Sequence, residues 1–154
     1  MPPEQSPPQT SNLTLALALA PAILRAVFEL AKARRQFGRL AVRDLAQRNA
    51  HFNAAPAEYE REQTSRIVDL IPRVIPRVAQ YMPWRSDCLV QAMAAQNWLG
   101  CIGQPSTIVL GAKKDETADN GGLGEFGAHA WLRRGDQVII GGDISQYTSF
   151  LDEN

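Results

Sequence analysis

The sequence predicts an α+β protein: helices come first, and a small antiparallel sheet follows, packed against one apolar helix. Three observations carry this. Apolar residues recur at helical spacing through the first half of the chain. After residue 104 the pattern turns to short β-branched runs separated by glycine-rich turns. Between the two, residues 87–100 read as a helix that is apolar nearly all round, which belongs at the centre of a core.

Taken in order, residues 1–12 (MPPEQSPPQTSN) are rich in proline and glutamine and are expected to be disordered. Residues 13–80 form a helical N-terminal region. From Leu13 to about Ala50, Ile23, Val27, Leu30 and Ala31, then Phe37, Leu40, Ala41 and Leu45, mark an inner face, with a break expected at Gly38. The basic residues here, Arg25, Lys32, Arg34, Arg35, Arg39, Arg43 and Arg48, mostly fall between the apolar positions. They read as a solvated face, or alternatively as a docking face for an acidic partner. A loop is expected over 51–57 and a further helix from about Ala57 to Leu70. Pro72 and Pro76 are expected to exclude an ordinary helix interior where they stand.

Residues 81–154 form the second region. Ser86 or Asp87 caps the 87–100 helix, and Gly100 or Gly103 ends it. PSTIVLGA (105–112) reads as a strand, and the charged, glycine-rich 113–127 as a mobile loop. AHAWLRR and QVIIGGD read as the two arms of a hairpin turning at Gly135-Asp136 or Arg134-Gly135-Asp136.

Composition narrows the function. With 45% hydrophobic and 21% charged residues in 154, the chain suits one globular domain with a sizeable core. Net charge is zero, so no global pull toward nucleic acid follows. The charge is divided, however: residues 1–85 hold 12 basic against 7 acidic residues, a net of +5, and residues 86–154 hold 4 against 9, a net of −5. The apolar run Leu13–Leu24 lacks a basic segment before it, is broken by Pro21 and is closed by Arg25. It falls short of the roughly 20 residues a membrane span needs. It is expected to be a buried helix, with a weak membrane-surface contact as the alternative. Cys88 and Cys101 stand 13 apart on one helix, so their Cα atoms lie roughly 20 Å apart at about 1.5 Å per residue, too far for a disulfide. Both are expected to be reduced, in a cytoplasmic protein.

Cys88, at the first turn of that apolar helix, is the candidate nucleophile, because unpaired amides and the helix dipole favour thiolate over thiol there. The same amides can face a developing oxyanion. The base is His51 or His129, the only histidines. His51 falls in the expected loop, whereas His129 lies on a hairpin arm. A turn centred on Asp136 sets His129 opposite Asp143. A two-residue turn slips the pair by one, and a bulge at Gly141-Gly142 would restore it. Asp143 is then the carboxylate placed to hold the imidazole, whereas Asp136, at the turn, is out of reach. The result is a Cys88–His129–Asp143 triad. A zinc site from Cys88, Cys101, His129 and Asp143 is disfavoured, since no pair has a short metal-ligand spacing.

PWRSDCLVQAMAAQNWLGCIGQPSTIVLGAKK, followed by FGAHAWLRRGDQVIIGGD, resembles the leader peptidases of lasso-peptide biosynthesis. These are transglutaminase-like cysteine proteases that remove the leader from a ribosomally made precursor peptide. The resemblance covers about residues 83–143, and the earlier helices match only in being apolar and arginine-rich. It implies a transglutaminase/papain-like core and the same three roles for Cys88, His129 and Asp143, with no metal or cofactor. Residues 1–80 show no β-hairpin of a leader-recognition domain. The resemblance therefore implies the stand-alone form, working with a separate leader-recognition protein and passing its product to an ATP-dependent lasso cyclase. The long 113–127 loop departs from the family pattern. The same triad would also serve an acyltransferase or transglutaminase, and a structural Cys88 would instead mean a non-catalytic binding subunit of a peptide-modifying complex.

Overall fold

A computed structural model describes residues 12–41, 43–54, 62–113 and 127–149. Residues 1–11 of the expected disordered N-terminus, residues 55–57 of the expected 51–57 loop and residues 114–126 of the expected 113–127 loop lie outside the described residues. Within them the chain is α+β: helices α1 (Asn12–Phe37), α2 (Asp44–Asn53), α3 (Glu62–Ala79) and α4 (Cys88–Cys101), then strands β1 (Thr107–Lys113), β2 (Ala128–Arg134), β3 (Gln137–Ile140) and β4 (Tyr147–Ser149). The strands form one antiparallel sheet in the order β3-β2-β1-β4.

α4 is the centre of the molecule because almost every residue beyond its first turn is apolar, and Val90, Ala92 to Ala95, Trp98 and Leu99 are buried. The run of alanines lets neighbouring backbones approach closely. α1 packs on it through Ala22, Ala26, Leu30 and Ala33, spaced three and four apart, and α3 adds Val68, Ile71, Val74, Ile75 and Val78. The sheet contributes Ile108, Leu132, Ile139 and Ile140, so helices and sheet share one hydrophobic cluster. α4 ends at a Schellman motif: Gln104 N–H bonds the Leu99 carbonyl at 3.0 Å and Gly103 N–H bonds Gly100 at 3.2 Å, with Gly103 at a φ of 67°.

Three expectations are corrected. α3 runs straight through Pro72 and Pro76, and α1 through Pro21. A proline inside a helix costs about 3 kcal/mol, but α3 buries five β-branched side chains on its inner face, each worth about 1.5–3 kcal/mol, while Pro72 stays exposed and Pro76 half-buried beside a cleft. Packing therefore overrides propensity. His51 sits in the last turn of α2, not in a loop. The basic face of α1 and α2 is solvated only in part. Arg34, Arg35, Arg39 and Arg43 are exposed, but Arg25 reaches the fully buried Glu29 at 2.6 Å, and Arg48 is drawn into the interior.

Arg48 holds a polar network that joins α2 to α1 and α4. It donates to Gln96 Oε1 at 2.6 Å, Asn97 Oδ1 at 2.9 Å and the Met93 carbonyl at 3.3 Å, with a longer contact of 3.5 Å to Gln36. Its guanidinium lies 4.9 Å over the Phe52 ring. Gln96 continues the chain to Asn49 and the Ser106 carbonyl, both at 3.0 Å. Asn49 then bonds both the N–H and the C=O of Ile108 at 2.9 Å, as a neighbouring strand residue would. A buried Gln96 and Asn97 in an otherwise apolar helix are thus satisfied.

Candidate active site

The cleft that concerns function is about 530 Å³ and is lined by Pro72, Pro76, Cys88, Gln91, His129 and residues 138–142. One wall is the proline side of α3, the other is edge strand β3, and the start of α4 lies at its end.

Cys88 is half-buried and is the first residue of α4. Asp87 occupies the N-cap position but makes no side-chain capping bond; its carboxylate faces Arg85 Nε at 3.3 Å instead. Gln91 reaches back over the first turn, donating its side-chain amide to the Ser86 carbonyl at 2.7 Å. The first-turn amides are therefore not taken up by a side-chain cap, and Cys88 stands at the positive end of the helix dipole. Both cysteines are free, and Cys101 is exposed at the opposite end of α4.

His129 projects from β2. Its Nε2 lies 2.8 Å from the carbonyl of Gly141. A carbonyl only accepts, so Nε2 carries the hydrogen and Nδ1 keeps the lone pair that can take a proton. Tyr147 stacks on the ring at a centroid distance of 4.6 Å, and Trp131 lies at 6.1 Å. Gly141 itself is tightly placed: its φ is 131°, and a Cβ there would collide with Trp131 Cβ.

The hairpin geometry places the third residue. The turn is the two-residue Gly135-Asp136, since Arg134 pairs with Gln137 and Arg133 with Val138. The register then shifts by one, with Leu132 pairing Ile140, so Ile139 is the bulged residue. The bulge thus falls earlier than Gly141-Gly142, and β3 ends at Ile140. Gly141 and Gly142, both at positive φ, turn the chain off the ladder before Asp143. Asp143 is exposed, and its carboxylate accepts from the Ser145 backbone N–H at 2.9 Å. Hydrogen bonds from Ser145, backbone first and side chain second, hold its carboxyl below the usual carboxylate range. Cys88 and His129 therefore share the cleft, whereas the Asp143 carboxylate is turned to Ser145, and the imidazole donor goes to the Gly141 carbonyl two residues earlier. Among the described residues, no group of three histidine, cysteine or acidic side chains is placed to hold a metal ion.

The sequence reading did not single out Gln91, Tyr147, Gly141 as an acceptor, or the proline wall. Gln91 had a signal, a polar residue one turn after the nucleophile on an apolar helix. Tyr147 had none, since β4 is only three residues long. The family described as the transglutaminase-like superfamily matches residues 16–152. This chain belongs to the transglutaminase-like superfamily. The match takes in the N-terminal helices as well as the sheet, and the fold is one typical of cysteine proteases and acyltransferases. No curated protein and no solved structure matches the chain.

Proposed function

We propose that this transglutaminase-like protein is a cysteine peptidase that removes the leader from a lasso precursor peptide before macrocyclisation. The observation that carries the reading is a thiol at an uncapped helix start in one cleft with an imidazole whose Nδ1 is free to take a proton. The resemblance over residues 83–143 supplies the substrate class.

In the proposed reaction, His129 takes the thiol proton and the Cys88 sulfur attacks the scissile carbonyl. The oxyanion rests on first-turn amides of α4. His129 then protonates the leaving amine, leaving a thioester, and a water that gives its proton to His129 hydrolyses it. The Gly141 carbonyl, which accepts from Nε2, steadies the imidazolium, and Asp143, whose carboxyl Ser145 holds below the usual carboxylate range, is assigned the third role and would have to turn from Ser145 toward the ring to take it. The protein would work in the cytoplasm with a separate leader-recognition protein and hand the core peptide to an ATP-dependent cyclase.

Mass spectrometry of a precursor peptide incubated with the protein and its recognition partner tests this. Two fragments that add to precursor plus one water, absent with Cys88→Ala, are expected. A product carrying an amide in place of the free acid would mean acyl transfer at the same thiol, which the superfamily match equally allows. An untouched precursor, with Cys88 no more reactive to alkylation than Cys101, would leave a non-catalytic binding subunit.

A further inference from the structure

A second cavity, also about 530 Å³, lies between the C-terminal half of α1 and α2, away from Cys88. Its lining is Phe28, Ala31, Leu40 and Gln36 together with four cationic side chains, Lys32, Arg35, Arg39 and Arg48, and no carboxylate. Among the described residues none of these four makes a salt bridge. Arg48 is half-buried, yet its partners are all neutral: three side-chain amides and a backbone carbonyl. Its burial pushes the guanidinium down to about 10, so it remains a cation at neutral pH, with its charge uncompensated. Leu24 and Phe28, one turn apart on α1, are 70% and 60% exposed and lead along the helix from the cavity. Large apolar side chains left in water beside unpaired cations mark a surface that a partner covers.

We propose that this cavity is a docking site for a segment of a partner polypeptide that carries glutamate or aspartate side chains interleaved with leucine or phenylalanine. The carboxylates would compensate Lys32, Arg35 and Arg39 at the rim and the field of Arg48 at the floor. The apolar residues would seat on Phe28, Ala31 and Leu40 and continue onto Leu24. A free inorganic anion would use the cations and leave the apolar lining wet. An anionic membrane would match the exposed face of α1, but a lipid surface spreads over a convex face and does not fill a concavity floored by Arg48. The site rests on the helices alone and is independent of the chemistry at Cys88.

The test is fluorescence anisotropy of the full chain with a short labelled peptide of glutamate interleaved with leucine and phenylalanine. Its lysine-for-glutamate counterpart and vesicles of anionic phospholipid are measured beside it. The acidic peptide is expected to bind and the lysine peptide not to. Combined Arg35→Glu and Arg39→Glu should weaken binding by at least about tenfold, as should raised salt, and Phe28→Ser should weaken it without removing the salt dependence. Both substitutions fall on exposed side chains, and an unchanged rate of Cys88 alkylation shows that the variants are folded. No binding, equal binding of the two peptides, or indifference to the charge reversal would overturn the proposal. Vesicles that bind in place of the peptide, and lose binding on the same reversal, would replace it with a membrane surface.

Discussion

At the scale of single residues, the cleft divides its work between backbone and side chain. The Gly141 carbonyl already holds the His129 tautomer. Asp143→Ala is therefore expected to lower kcat by about 100-fold or less, the low end of a general acid–base contribution, whereas Cys88→Ala removes turnover altogether. Steady-state kinetics on the precursor separates the two. Gly141→Ala should be costly, by about 2–4 kcal/mol in a urea melt, because overpacking against Trp131 adds to an unfavourable φ. Gly142→Ala, at a φ of 66° but with open space around it, should cost only about 1–2 kcal/mol. The Asp143 carboxyl carbon should titrate below the ordinary aspartate range by NMR. Ser145→Pro, which removes the main donor, should return it upward. Because the folded pKa is depressed, the associated stabilisation is present above the unfolded value and is lost as pH falls through the folded one.

At the scale of elements, the prolines of α3 are the informative feature. A proline at 72 leaves the Val68 carbonyl without its helical N–H, and a proline at 76 does the same to the carbonyl of residue 72. Both rings sit on the cleft side. Pro76→Ala is expected to stabilise the protein by about 1–3 kcal/mol through restored helix propensity and one regained bond. It should also raise KM for a peptide substrate, since the cleft wall loses its ring; an unchanged KM would mean the wall does not touch substrate. The prolines fooled the sequence reading because propensity is local, whereas the burial of Ile71, Val74 and Ile75 against α1 and α4 is not. The hairpin was legible down to its two possible turns. Where the bulge fell was not, because it depends on how Ile139 and Ile140 reach the core rather than on the turn residues.

At the scale of the whole molecule, the network from Gln36 through Arg48, Gln96 and Asn49 to Ile108 ties three helices to the sheet. Arg48→Ala should leave the buried Gln96 and Asn97 oxygens short of donors and cost about 2–4 kcal/mol by chemical denaturation. Gln96→Leu should cost a similar amount, since it leaves Arg48 Nε without its nearest acceptor and the Asn49 Oδ1 and the Ser106 carbonyl without the Gln96 donor. Among these residues Arg48 read as part of a solvated face because periodicity separates apolar from polar, not paired from exposed. Among the described residues no helix is long and apolar enough to cross a membrane. The apolar start of α1 instead leads into a helix whose alanine stripe packs on α4.

The order of elements, the central place of α4 and the cysteine at its first turn could all be read from the chain, because apolar periodicity and β-branched runs are local signals tied directly to burial. What needed the tertiary structure was which polar groups find each other: Arg48 with the amides of α4, Asn49 with the backbone of β1, and the His129 ring with the Gly141 carbonyl rather than with the side chain two residues on. Hydrogen bonds act over about 3 Å between residues dozens of positions apart, so they are decided only when packing has already brought the elements together.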